Sequence, residues 1–426
     1  MLIWEETMHP LNLVTRRSVL KTTVGVGAVA MTSGLGVPAI ASTRELTIIG
    51  NDGNPTAREV FKKITEDFAA ATGVKVSLNY MDVEGHKTAI RSYLITSPPD
   101  LCFWYSGERM RYFVGRGLFE DLSGLFEMNG YGNVVGNQIR AVTVEGRQFG
   151  LPLGGRLLAN FYLEDVFAKH GLKVPKDWDE LLTYIESAKS AGLAPIAVGS
   201  KELWPVAGMF DSLNLRTNGL DFHMSLMDGK VSYLDKAVLS VFDRWEELVR
   251  KGAYLKDNTS YSYSEAAAFL SRGEAGFMTI GSFVDREVPV DQRKNLNYFP
   301  FPKIADIPTF EDFFVDSIHI PSKAKNKEEA REFLTYFYQP AVFALYSGAR
   351  NFIPARSDLP PSSNEMLNRQ LKTIAGVAGT AQYFDRDTNP DLAQVAMKGF
   401  QEFLTYPDRK QTILERIEQT RQRVFK

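Results

Sequence analysis

One cysteine, Cys102, stands in 426 residues, so no disulfide can close within the chain. It lies in the apolar run Leu101-Cys102-Phe103-Trp104, where a buried small hydrophobe is its expected role. Histidine is scarce: His9, His86, His170, His223 and His319 are dispersed, none at His-x₃-His spacing, and no metal site is expected. Neither sign of charge is in excess. With 49 basic and 51 acidic residues the net charge is −2, and a nucleic-acid partner, which needs a basic patch to displace counterions from phosphates, is not expected. Beyond the first forty residues no apolar run is long enough to span a bilayer, and there is no internal repeat, low-complexity tract or heptad run. Catalytic signatures are missing too. No Walker loop, Gly-x-Gly-x-x-Gly fingerprint or Gly-x-Ser-x-Gly elbow is present, so neither a cofactor nor an enzyme is expected. Asp82 and Glu84 keep one alternative open, a glycosidase carboxylate pair, against solvated loop carboxylates or one carboxylate holding hydroxyl groups.

The first residues carry the clearest signal. Thr15-Arg16-Arg17-Ser18-Val19-Leu20-Lys21, an uncharged small-residue stretch and Ala39-Ile40-Ala41 before Ser42 have the three parts of a twin-arginine export signal, although Val19 stands where Phe is usual. The competing reading is an uncleaved anchor, since no charge falls between Lys21 and Arg44; a Gly-rich, Leu-poor stretch inserts weakly, which favours cleavage after Ala41. Either Met1 or Met8 as the start leaves the Arg16-Arg17 pair in place. Cleavage removes three basic and two acidic side chains and takes the net charge from −2 to −3. With no disulfide and no cysteine at the leader's end for a lipid, a soluble protein of a Gram-negative periplasm is the expected product.

An apolar fraction of 44% with 12% aromatics supports packed cores, and the length exceeds what one core usually serves, so two domains are expected. The mature chain opens with the strand Leu46–Ile49 and the polar loop Asn51–Asn54. Asn54 caps a helix with Pro55 at its first position, Val60, Phe61, Ile64 and Phe68 share one face, and Gly73 closes it. Val74, Val76, Leu78 and Tyr80 alternate as a second strand. A third cycle delivers Trp104 and Tyr105 to the same sheet edge, where open α/β sheets bind ligands. Glu145–Pro152 marks a passage into a second domain, with a capping-box-like helix start at Asp177 and Glu180 and a strand Ala275–Ile280 ending in the turn Gly281-Ser282-Phe283. Phe299–Pro302 and Phe352–Pro354 are expected further crossings, three in all, forming a hinge.

Over some 280 residues the order of segments resembles the sugar-binding family of ABC-transporter solute-binding proteins that includes maltose-binding protein. The resemblance rests on Ala71–Val76, Pro99-Asp100, Gly117–Leu122, Glu145–Pro152, Asp165–Leu172 with Pro175 and Trp178–Glu180, and above all Asp316–Ala330. It implies an α/β, two-lobe periplasmic-binding-protein fold with a ligand cleft and a three-crossover hinge. The first lobe would comprise residues 42–152 and 306–353, the second 153–305 and 354–426. It also implies capture of a carbohydrate by a monomer and delivery to the transmembrane subunits of an ABC permease, with a sugar-active enzyme or a chemosensory protein as alternatives. A sugar needs convergent polar groups and an aromatic platform. By position these are Asn51, Asp52, Asp82, Trp104, Tyr105, Arg156, Trp204, Gly281, Ser282, Phe283, Asp316, Arg350 and Arg356, with Tyr383 and Asp385 in a late loop within reach. Phe283 departs from the Trp that many family members have after Gly-Ser. Arg156, Arg350 and Arg356 are more cationic than a neutral sugar requires, so an acidic or sulfonated sugar derivative is one expectation, with surface salt bridges as the competing account.

Overall fold

The computed structural model describes residues 44–426, and the expected leader over residues 1–41 lies outside the described residues. Twelve strands occur in these: β1 (Glu45–Gly50), β2 (Lys75–Tyr80), β3 (Leu101–Tyr105), β4 (Thr143–Val144), β5 (Arg147–Gln148), β6 (Leu151–Leu163), β7 (Ala194–Ala197), β8 (Ala275–Gly281), β9 (Leu296–Phe299), β10 (Phe310–His319), β11 (Ile353–Pro354) and β12 (Gly379–Ala381). The main sheet runs β2-β1-β3-β10-β6-β8-β7, while β4 and β5 form a small separate hairpin. β1 lies parallel to β2 and β3, as right-handed β-α-β crossovers require.

Local signals account for the first cycle. Asn54 accepts from the N–H groups of Thr56 and Ala57, Pro55 occupies the first turn where its missing N–H costs nothing, and Gly73 ends the helix with φ 74°. Phe61, Ile64 and Phe68 turn inward from this helix Pro55–Thr72. Phe61 meets Phe103, Phe333 and Phe337 edge to face at 5.1–5.9 Å, and each such buried ring contributes about 1.5–3 kcal/mol through removal from water. The partners on helix Lys327–Phe337 come from the region after β10, so the first core is closed by chain nearly three hundred residues away.

A second core gathers Tyr162, Phe210, Phe242, Trp245, Phe277, Phe384 and Phe400. Asp177 caps helix Trp178–Ser190 through the N–H of Glu180, but the Glu180 carboxylate reaches back to Lys176 N–H, one residue short of a true capping box. Two long strands carry the chain between the cores. The first half of β6 pairs with β10, and its second half pairs with β8 and β9; β10 pairs with β3 through Asp316–His319 and with β12 through Phe310–Asp312. Phe299–Pro302 is not a crossing. Phe299 and Phe301 are buried in the second core, and the return runs along β10 itself. A third passage follows β11, paired with β6 at Gly154 and Gly155. Gly154 (φ 144°) is obligatory here, because a Cβ would stand 2.0 Å from Phe352 and 2.3 Å from the Ile353 carbonyl oxygen. Among the described residues no helix is long and apolar enough to cross a membrane.

Candidate functional site

A cavity of about 300 Å³ opens between the two cores, where the carboxyl ends of β1, β2 and β3 face the crossing strands. The first lobe contributes loop and helix-start residues. Asp52 follows β1; its Oδ1 accepts from Asn54 N–H, and its Oδ2 lies 2.9 Å from Arg350 Nε. Asn51 lies beside it. Asp82 caps helix Val83–Thr96 through Gly85 N–H, and one turn on Glu84 pairs with Lys87 at 2.8 Å. Both members of the glycosidase alternative are thus engaged by local partners. Trp104 and Tyr105 end β3; Trp104 is packed in the first core and donates its Nε1–H to the Arg109 carbonyl, so only part of its ring reaches the cavity.

The second lobe supplies rings. Leu203 sits at the centre of a γ-turn (φ 67°, ψ −43°) closed by Trp204 N–H donating to the Glu202 carbonyl, a positive φ that costs on the order of 1–3 kcal/mol, immediately before Trp204 starts helix Trp204–Met227. The strained turn points Trp204 at the cavity, with Tyr263, Phe283 and Tyr383 at ring-centroid distances of 5.4–5.8 Å from it. Tyr383 in turn stacks on Phe314 of β10 at 4.3 Å. Glu202, just before the turn, accepts from Tyr263 N–H; burial first and then the Glu84 carboxylate of the other lobe push its titration upward.

The floor is ionic. Asp316, on β10, holds Arg156 (3.5 Å), Arg350 (3.1 Å) and Arg386 (3.1 Å), three guanidiniums from three separate segments. Burial alone would raise the Asp316 carboxyl, yet Arg386, Arg350 and Arg156 together hold it below the ordinary carboxylate value. Arg386 is sandwiched between Tyr105 and Phe314 at 4.0 and 4.6 Å. Beside it Arg109 pairs with Asp385 at 2.5 Å, and Ser106 donates to Gln382, so the segment Gln382–Asp387 of the second core docks on the first. Five cationic and six acidic side chains line the cavity, which is therefore not positively charged as a whole.

Of the residues singled out in the sequence, Asn51, Asp52, Asp82, Trp104, Tyr105, Arg156, Trp204, Phe283, Asp316 and Arg350 line this cavity, as do Tyr383 and Asp385. Gly281, Ser282 and Arg356 do not. Gly281 leaves room for the rings of Phe283 and Phe314, where a Cβ would come within 3.0 Å of both, and Ser282 is buried behind them. Arg356 pairs with Asp358 and donates to the Tyr338 carbonyl. Lining residues the sequence reading missed include Lys87, Glu202, Tyr263, Arg286, Phe314 and Arg386. Phe314 had a signal: it lies two residues before Asp316, on the same face of a strand. Arg286 ends the 3₁₀ turn that begins just before Phe283, another local cue.

The family model for bacterial extracellular solute-binding proteins matches residues 52–342. An uncharacterized ABC transporter extracellular-binding protein of Pyrococcus horikoshii is 22% identical over 363 residues, 80% of each chain. Among solved structures, the bacterial solute receptor AcbH, described as having an exclusive substrate preference for β-D-galactopyranose, is 27% identical, with a TM-score of 0.85 over 90% of this chain and all of that one. A chitin oligosaccharide binding protein, 21% identical, shares the fold with a TM-score of 0.82 over 90% of this chain and 99% of its own.

Proposed function

The chain belongs to the bacterial extracellular solute-binding proteins, and from that premise we propose that it captures a sugar between its lobes. The observation that carries this reading is the opposition of two surfaces across one cavity: Trp204, Tyr263, Phe283 and Tyr383 on one side, and Asn51, Asp82, Glu84 and Lys87 on the other. A pyranose has both faces this arrangement needs, C–H groups for the rings and hydroxyls for the polar groups. The galactopyranose preference of AcbH and the chitin oligosaccharide binding of the second structural relative support it. At about 300 Å³ the cavity is at the small end of the roughly 300–1,000 Å³ of ligand pockets, which suits a monosaccharide or short oligosaccharide.

The protein works as a monomer in a Gram-negative periplasm, reached by the twin-arginine route. It closes about the crossing strands β6 and β10 and presents its ligand to the transmembrane subunits of an ABC importer. Capture without catalysis is the reading, and it is supported by the engagement of Asp52, Asp82, Glu84 and Asp385 with Arg350, Gly85 N–H, Lys87 and Arg109.

A thermal-shift panel of neutral sugars, sugar alcohols, uronic acids and sulfonated sugars tests the reading. Ligand at about a hundredfold its Kd adds roughly 2.7 kcal/mol of stability, and the compound should be recovered unchanged. No shift with any sugar would overturn it. Within that panel Trp204→Ala should weaken the best ligand about tenfold, roughly 1.4 kcal/mol, by removing the ring face. Calorimetry returning an affinity within twofold of wild type would remove Trp204 from the platform.

A further inference from the structure

One buried histidine reaches the cavity wall through a neighbour. His86 lies at the start of helix Val83–Thr96, where Asp82, Glu84 and Lys87 line the cavity, but its own ring is turned inward and fully buried. Its Nδ1 lies 3.5 Å from Asn51 Nδ2, its Nε2 lies 2.8 Å from the Tyr93 hydroxyl, and its ring centroid is 5.5 Å from that of Trp104. Asn51 and Trp104 both line the cavity, so His86 supports two of its residues from behind. The other two buried histidines do not: His223 meets Asn214, and His319 meets Ser317 and the Phe149 carbonyl, none of which lines it.

Proton placement follows from this geometry. Burial pushes the His86 imidazolium down to about 4, so near neutral pH the ring is uncharged, with one nitrogen donating and the other accepting. Nδ1 faces the amide nitrogen of Asn51, which only donates; Nδ1 is therefore the acceptor, and Nε2 carries the proton and donates it to the Tyr93 oxygen. The opposite arrangement needs the Asn51 amide turned over, with Nδ1–H donating to its oxygen and Tyr93 donating to Nε2. As the residues stand, the Asn51 amide is held by its nitrogen, while its Oδ1 stays accessible and accepts from no residue among those described. An asparagine free to turn offers a ligand either end of its amide; one held by the nitrogen turns its oxygen outward.

Resting on the sugar-binding reading of this cavity, we propose that His86 is a positioning residue: in its Nε2–H form it holds the Asn51 amide by the nitrogen and turns Oδ1 to the cavity, so that Asn51 accepts from a ligand hydroxyl. This place in the cavity then selects for a donor. A sugar hydroxyl meets the demand, whereas fluorine on the same carbon has no proton to give and meets an oxygen instead.

Two measurements test it. Nitrogen NMR of the histidine-labelled protein reads the tautomer from the couplings of the ring nitrogens to the carbon-bound ring protons, with His86 assigned by the resonance lost in His86→Phe. The Nε2–H form is expected, and the Nδ1–H form overturns the proposal. Calorimetry then compares galactose with the derivatives in which a single hydroxyl is replaced by fluorine. In wild type at least one derivative should bind at least tenfold more weakly than galactose, and Asn51→Ala should bring that ratio to within about threefold. His86→Phe keeps a ring of similar bulk beside Trp104 but removes both nitrogens. With the Asn51 amide free to turn, the same ratio should fall at least threefold while galactose itself stays within about threefold of wild type. A histidine that only packs would weaken galactose and its fluorinated derivative alike, so an unchanged ratio in His86→Phe overturns the proposal, as does an Asn51→Ala variant that keeps the wild-type ratio. If His86→Phe does not fold, the signal lost in His86→Asn supplies the assignment, and the tautomer and the Asn51→Ala ratio decide. If galactose does not bind, glucose and its fluorinated series take its place; binding of neither counts against the sugar reading, and the tautomer alone then decides the orientation of Asn51.

Discussion

Asp316→Ala is expected to destabilise the protein by about 3–5 kcal/mol, the cost of stripping one partner from a buried ionic cluster. The carboxylate holds Arg156, Arg350 and Arg386, which come from the first crossing, from the helix Pro340–Arg350 of the first core and from the late segment of the second. Without it, Asp52 still serves Arg350, but Arg156 and Arg386 keep their charge with no other carboxylate of the described residues within salt-bridge distance. Surface ion pairs contribute about 0–1 kcal/mol, so the size of the loss separates an enclosed cluster from a solvated one. Urea unfolding at neutral pH measures it, and a loss below 1 kcal/mol with unchanged m would show that water reaches the arginines. Because the Asp316 titration is depressed, its contribution is present above the unfolded value near 3.9 and is lost as pH falls through the folded one. The same substitution should abolish ligand capture, since Arg386 would lose the anchor that holds it between Tyr105 and Phe314.

How much of this site could be read from the sequence depended on distance along the chain. Asn51, Asp52, Asp82, Trp104 and Tyr105 follow directly from strand-and-helix periodicity, because each loop after a strand in a parallel sheet must open at the same edge. Asn54, Pro55 and Gly73 set the first helix through contacts within a few residues. The ionic floor is different. Arg156, Asp316, Arg350 and Arg386 meet only because β6 and β10 lie side by side, and no local rule states which of many arginines faces a given aspartate. The same limit explains Arg356, whose partner Asp358 is two residues away and holds it off the cavity. It also explains the misplaced crossing at Phe299–Pro302: a Pro-rich segment marks an end of regular structure, but whether the chain then changes lobe depends on what its side chains bury, and Phe299 and Phe301 bury in the second core. Lys87 and Arg286 carried cues, one turn from Glu84 and three residues from Phe283, that become meaningful only once the cavity is known.

The second large effect lies beneath the aromatic wall. Asp211 of helix Trp204–Met227 and Asp312 of β10 are both fully buried and close enough to couple, and two carboxyls in one buried site favour keeping a proton between them. Asp211 also accepts from Phe384 N–H, whereas Asp312 has no donor from any other residue among those described. Burial raises both titrations well above the ordinary value; Asp387, Asp385 and Glu311 push the same way, and for Asp312 Arg386 opposes it. The native state therefore keeps a proton that the unfolded chain releases above about pH 4, so this pair's contribution is present below that pH and is lost as pH rises toward the folded value, by up to about 1.4 kcal/mol per pH unit. Asp312→Asn should remove the dependence, because the amide can donate to Asp211 without a titrating proton. His86, His223 and His319, each depressed to about 4 chiefly by burial, favour the native state with the opposite slope between about pH 4 and 6.5, but they cancel when variant and wild type are compared at each pH. The stability of Asp312→Asn relative to wild type should thus climb from pH 5 to pH 8, and urea midpoints that stay parallel across this range would show that the pair is ionised in the native state.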